Sequence, residues 1–180
     1  MPGKPEKRHP VTQPSDSSYR LIALTQNQTA IVDAEDFEWL SKWCWHAFWH
    51  DRTKSFYAVR NDRSTGKHTT VKMHRAIMGF PKEDVDHKNR NTLDNRKQNL
   101  RLADKFKNAW NRGIRSDNAI GLKGVFAHTV NPGKWVAAAQ GNYLGCFTSP
   151  EDAARAYDAY AKEHYGEFAV LNFPSTPPNQ

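Results

Sequence analysis

The sequence predicts an α+β protein made of two small modules, and three observations carry that prediction. Between Tyr19 and Arg112, short strand-like runs alternate with short helical ones and end in a polar, cation-rich stretch. After a break containing Gly, Ser and Asn, three further strand-like runs lead into one amphipathic helix, which predicts a three-stranded antiparallel sheet packed on that helix. The charge changes at the same break. The chain has 180 residues and a formal net charge of +7, yet Gly121 to Gln180 hold four basic and five acidic residues, so everything before them carries +8. Arg60 to Arg115 alone hold fifteen Lys/Arg against six Asp/Glu.

Taken in order, Met1 to Ser18 is rich in Pro, Ser and Lys/Arg and lacks an apolar h-region, so it reads as a disordered basic arm rather than a secretory leader. No apolar run is long enough to span a membrane. Cys44 and Cys146 stand far apart, which predicts two core thiols in a reducing cytosol rather than a disulfide or a Cys-based zinc site. Tyr19 to Val32 reads as two strands joined at Gln26-Asn27-Gln28, and Asp33 as the N-cap of a helix with Phe37, Leu40 and Trp43 on one face. Trp39, Trp43, Trp45 and Trp49 are expected in the core, with stacking on bases the alternative. SFYAVRND has strand composition, residues 61–67 form a hairpin turn, and HTTVKMHRAIMGF runs from a strand into a short helix. Arg75 is a candidate phosphate contact, and for His74 a buried, hydrogen-bonded role and a site role both stay open.

The polar stretch Asp86 to Arg112 is the candidate active site. It combines an Asp-His pair with Asn89, Asn91, Asn95, Asn99, Asn108 and Asn111 and many cations, a composition that a core segment would not tolerate. Phosphodiester hydrolysis requires a base to deprotonate water and a divalent cation to neutralise phosphate charge. His87 suits the first task because imidazole is neutral near pH 7. Asp86 is a hard oxygen donor, and an Asn carbonyl completes a sparse Mg²⁺ site. Adjacent strand residues point to opposite faces, so the pair can share a site only at a strand end, and the turn signal of Lys88 to Thr92 supplies one. The basic patch points to a phosphate backbone as partner, although a merely solvated surface fits the charge as well.

The spacing of Met73-His74-Arg75, Val85-Asp86-His87, Leu93-Asp94-Asn95-Arg96, Asn99-Leu100-Arg101 and Asn108 resembles the HNH endonucleases, particularly the phage and intron-encoded group. The likeness covers residues 19–112 and implies a ββα-metal (His-Me finger) nuclease domain. It implies His87 as the general base, Asp86 and Asn108 as ligands of one divalent metal ion (Mg²⁺, with Mn²⁺ as the other choice), and Asn99 as the residue that braces the loop and orients the base. Arg75, Lys88, Arg96 and Arg101 are the candidate DNA contacts. The resemblance further implies 5′-phosphate and 3′-hydroxyl products, one nick per active site, and homing to a defined site.

Residues 113–120 read as a linker. In the second module, Ser149 as N-cap, Pro150 at the first helical position and Gly166 as the stop predict one helix, with Ala153, Ala156, Tyr157, Tyr160, Ala161 and His164 on its inner face. The words KGV, GKW, YLGCF, EDAARAYD and LNFP resemble the apetala-two/ethylene-response-factor DNA-binding domain over residues 121–174, leaving 175–180 as a tail. By that resemblance Lys123, Phe126, His128, Lys134, Ala138, Gln140 and Tyr143 face DNA. Phe126, Ala138 and Gln140 replace the Arg, Glu and Arg of plant members, which removes the guanine-reading arginines. The expected partner is duplex DNA, with no membrane and no small-molecule substrate. A non-cleaving DNA-binding regulator and an RNA-directed protein are the rival classes.

Overall fold

The computed structural model describes residues 8–64, 66–115 and 117–174. The chain divides into two units, Met1–Asp104 and Lys105–Gln180. Residues 1–7 of the expected arm and the whole expected tail lie outside the described residues. Within the described part of the arm, Gln13 pairs with the first strand: its Nε2 donates to Leu21 O and its Oε1 accepts from Leu21 N, at 2.9 and 3.0 Å. The amide side chain supplies the donor and acceptor that an edge strand otherwise presents to water.

In the first unit, β1 (Tyr19–Ala23) and β2 (Thr29–Asp33) form an antiparallel hairpin whose turn places Gln26 and Asn27 at positive φ. The helix α1 (Ala34–Ser41) follows directly. Asp33 occupies its N-cap position but makes no side-chain cap; its Oδ2 accepts the Lys97 backbone N–H at 2.7 Å instead. A three-stranded antiparallel sheet comes next, in the order β3 (His46–His50), β4 (Ser55–Asp62), β5 (Thr69–Lys72). It runs into the short helix α2 (Met73–Ile77), and the hairpin β6 (Asp84–His87) with β7 (Leu100–Ala103) closes the unit.

The pleat sorts the β3–β5 sheet into two faces. Ala47, Phe56, Ala58 and Val71 turn into a core shared with Leu24, Val32, Leu40, Trp45 and Met73. Trp45 is sealed there, its Nε1 donating to Leu40 O at 2.9 Å, and burying each such large side chain stabilises by roughly 1.5–3 kcal/mol. Trp39 packs against the same core, whereas Trp43 and Trp49 are exposed, so the expected tryptophan core is only half realised. Cys44 and Cys146 are exposed as well, correcting the expectation of core thiols. Each lies just outside, or on the outer face of, a sheet whose other side is packed.

The second unit begins with the short helix α3 (Lys105–Trp110) and builds the antiparallel sheet β8 (Val125–Ala127), β9 (Trp135–Ala139), β10 (Asn142–Phe147), with β9 central. The helix α4 (Pro150–Tyr165) packs on it, and Ser149 Oγ accepts the Asp152 N–H at 3.1 Å as the cap signal predicts. The buried stripe of α4 is Ala153, Ala154, Tyr157, Asp158, Ala161 and Tyr165, rotated from the expected one; His164 lies exposed, stacked on Tyr160. The rotation follows from Asp158, whose two oxygens accept the backbone N–H groups of Asn172 and Phe173 at 2.8 Å each and so must face inward. Ile120, the last residue of the stretch read as a linker, packs against the core cluster that includes Val125 and Ala137, and Trp110 of α3 stacks on Tyr165. No helix among the described residues is long and apolar enough to cross a membrane.

Candidate active site

Asparagines hold the loop between β6 and β7 together. Asn89 Oδ1 accepts Asn91 N and Asn91 Oδ1 accepts Leu93 N, which shapes successive turns from side chains where no regular ladder is available. Asn99 spans the loop: its Oδ1 accepts Asn89 N at 2.9 Å and its Nδ2 donates to Asp94 O at 2.7 Å. Arg96 makes a bidentate pair with buried Asp94 through Nε and Nη2, both at 2.8 Å. The strand β2 then docks the loop, Ile31 N donating to Leu93 O and Ile31 O accepting from Asn95 N at 2.7 Å.

That docking sets Asn95 beside His87. The Asn95 Nδ2 donates to Leu93 O at 3.0 Å, which turns Oδ1 toward His87 Nε2 at 3.4 Å. Since an amide oxygen only accepts, Nε2 carries the proton and the imidazole lone pair sits on Nδ1. The contact is long for a hydrogen bond. His87 is 4% exposed, and burial lowers its pKa below the ordinary histidine value; Asn95, Asp86 and Asp94 oppose that shift without reversing it. Its ring is flanked by His74, 5.0 Å away edge to face, and by Tyr57 at 6.4 Å. His74 is equally buried, and desolvation first, then His87, Lys72 and Arg75, depress its pKa to about 2, so both imidazoles are neutral at pH 7.

Asp86 lies one residue earlier at the end of β6, directly opposite Arg101 on β7. Arg101 Nε and Nη2 converge on its Oδ2 at 3.1 and 3.0 Å. Among the described residues no group of three His, Cys, Asp or Glu side chains is placed to hold a metal ion, so the donor set does not fit a closed zinc-type cage. The Asp86 carboxylate is the kind of oxygen donor that suits a hard cation which keeps waters and takes phosphate oxygens. Asn108, the expected amide ligand, stands half-buried on α3 in the second unit.

Of the expected DNA contacts in the first unit, only Lys88 projects from the surface. Arg75 is spent on backbone, donating to Pro81 O and Glu83 O, and so clasps the turn between α2 and β6. Arg96 and Arg101 are held by Asp94 and Asp86. In the second unit Phe126, Ala138 and Tyr143 share the sheet face turned away from α4, with Phe126 and Tyr143 well exposed, and Lys134 and Gln140 are exposed beside it. Lys123 is half-buried, its Nζ donating to Trp110 O at 2.7 Å and Arg112 O at 2.6 Å. His128 Nδ1 accepts the backbone N–H groups of Val130 and Asn131 and shapes the β8–β9 turn. The His87 ring therefore touches or faces Asn95, His74 and Tyr57, none of which has a settled role in the motif spacing. Tyr57 had no signal in its strand; Asn95 stood inside the motif, one asparagine before the one expected to orient the base.

No family model matches the chain. It is similar to an uncharacterized HNH endonuclease of Acanthamoeba polyphaga mimivirus, with 29% identity over 163 residues that take in 86% of this chain and 80% of the relative. That share is larger than the first unit alone, so the likeness extends into the second.

Proposed function

We propose that this chain is an HNH-type DNA endonuclease that hydrolyses phosphodiesters with His87 as general base and one divalent metal ion as cofactor. One observation carries the reading: a neutral, buried imidazole whose Nε2 is tied to Asn95, beside a carboxylate at a strand end. The similarity to a protein named as an HNH endonuclease supports it. His87 Nδ1 takes the proton from the attacking water, and the Nε2–H to Asn95 contact fixes the tautomer in which Nδ1 can do so. Asn99 acts at one remove, holding the loop that presents Asn95. Arg101 keeps the Asp86 carboxylate aimed. Asp86 would be the carboxylate ligand of Mg²⁺ or Mn²⁺, which supplies neutralisation of the phosphate and of the departing 3′ oxygen when bound.

The finer reading is a homing-type ββα-metal nuclease module followed by an apetala-two-type sheet that helps to choose the target. The exposed Phe126 and Tyr143 on the outer face of β8–β10 support that role for the sheet. Conversion of supercoiled plasmid by the wild type and by His87→Ala, with Mg²⁺ and with EDTA, tests the proposal. Nicked circles from the wild type alone, and only with metal, are expected. Cleavage by His87→Ala would remove His87 as the base. Silence of the wild type on a plasmid carrying its native target would favour a non-cleaving DNA-binding regulator.

A further inference from the structure

The first unit carries a row of rings that its core does not use. On the face of the β3–β5 sheet turned away from the core, Phe48 stands directly opposite Tyr57, with His46 and His50 on the same side. Phe48 meets His50 at 6.5 Å between ring centroids, and His50 meets Tyr57 at 5.9 Å. Tyr57 in turn reaches His74 at 5.8 Å and His87 at 6.4 Å. The row therefore starts at the edge strand β3 with a phenylalanine 49% exposed and ends on the candidate base. A single exposed apolar side chain is ordinary. A continuous line of rings leading to a buried histidine is not explained by packing.

Cations accompany the row. Lys72 Nζ lies 5.4 Å from the Tyr57 ring centroid, with its side chain exposed. From Asp51 to Lys72 the chain holds six Lys/Arg and two Asp/Glu. Arg52 and Lys54 sit exposed in the turn next to His50, and Arg63 and Lys67 in the turn before β5. Ring faces with interleaved cations suit a nucleic-acid strand whose bases are unpaired, because a paired base offers its edge to a protein but not its face. An acidic peptide would use the cations and leave the rings idle.

We propose that this sheet face is a stacking bed for an unpaired strand that leads its phosphate to His87, with Phe48 receiving a base and Lys72 the backbone. The substrate class is then DNA with unstacked nucleotides at the cut, such as a melted, bubble or single-stranded segment. The identity of the group at the end of the bed rests on the endonuclease reading; the bed itself does not.

The test is fluorescence anisotropy of a 5′-labelled oligodeoxynucleotide, single-stranded or annealed to its complement, titrated with the full chain in EDTA so that nothing is cut. Phe48→Ala should weaken single-strand binding about tenfold, the usual loss of one stacked base, and duplex binding less than twofold. Phe48→Trp should restore it. Equal losses on both forms, or no loss on the single strand, overturn the bed. So does a concentration-dependent dimer that Phe48→Ala abolishes, since the face would then belong to a second copy. Plasmid nicking run in parallel separates the two proposals. Nicking with no Phe48 effect overturns the bed and keeps the nuclease, whereas no nicking with Phe48-dependent single-strand binding does the reverse.

Discussion

Asn95 gives the sharpest test of how the site works. Asn95→Ala removes the acceptor of His87 Nε2 while Leu93 O keeps its other donor, Ile31 N, at 2.8 Å. A net hydrogen bond is worth about 0.5–1.5 kcal/mol, and at 3.4 Å this one belongs in the lower half of that range. With 1.36 kcal/mol per tenfold, the rate should fall about two- to fivefold as the imidazole loses its tautomer bias and its aim. Stability should fall by about 1–3 kcal/mol, because a buried donor has lost its partner. Asn95→Asp is more discriminating. A carboxylate at the same place favours the imidazolium, so His87 must be deprotonated at a higher pH, and the acidic limb of the rate should move up by about 1–3 units. The assay is single-turnover nicking of supercoiled plasmid across pH at saturating Mg²⁺, with a circular-dichroism melt to show that each variant is folded. A folded Asn95→Asp protein whose acidic limb coincides with that of the wild type would refute His87, in contact with residue 95, as the group that sets the limb.

Three other outcomes are expected. In the wild type, burial lowers the His87 pKa, so the neutral base persists as pH falls through 6.5 and activity is lost only below it; a limb at or above 6.5 in the same nicking assay would contradict this. Burial alone would raise the Asp94 pKa, but the Arg96 hydrogen bonds and charge lower it below 3.8. Its stabilisation is therefore complete above 3.8 and lost as pH falls through the lower folded value. Asp94→Asn should cost roughly 1.5–3 kcal/mol at pH 7 and flatten that acid-side loss, read from melts between pH 2 and pH 7; an unchanged melting temperature would count against the pair. Gly124 has φ +74° and a Cβ there would lie 2.0 Å from the Tyr157 ring. Gly124→Ala should destabilise the second unit by roughly 2–5 kcal/mol, visible in the near-ultraviolet aromatic signal, and wild-type melting would show that the ring moves aside freely.

Local signals in the sequence are most legible where one residue type answers one backbone need. The Gln26-Asn27 turn, the Ser149-Pro150 helix start and the strand-to-helix passage at Lys72 and Met73 all rest on such short-range chemistry. The strand end after His87 belongs with them, because five residues of turn composition, Lys88 to Thr92, leave a ladder nowhere to go. What escaped was set by tertiary partners. Nothing local says that β2 will dock on Leu93 and Asn95, and without that docking Asn95 and Asn99 are equivalent candidates for orienting His87. The rotation of α4 depended on Asp158 finding backbone donors fourteen and fifteen residues away. Tyr57 could not be chosen from a strand whose neighbours Phe56 and Ala58 looked equally apolar, because only the pleat and the partner elements decide which side faces His87.

The same distinction changes how the charge should be read. The excess of cations between Arg60 and Arg115 suggested a broad phosphate-facing patch, but many of those side chains do internal work. Arg96 answers Asp94, Arg101 answers Asp86, Lys97 answers Glu35 and Asp36, and Arg75 satisfies carbonyls. A guanidinium held in such a pair displaces few counterions from DNA, because its charge is already neutralised by the protein, whereas an exposed cation is available to replace them at a phosphate. The cations exposed in the first unit include Lys88 and Arg90 after His87, and Arg52, Lys54, Arg63, Lys67 and Lys72 along the β3–β5 sheet. They flank the two ends of the ring row, so the surface that electrostatics can offer to a phosphate backbone coincides with the one that the rings offer to bases. Paired arginines make the site rigid and exposed lysines make it attractive, and the two sets occupy different positions in the same short stretch of chain.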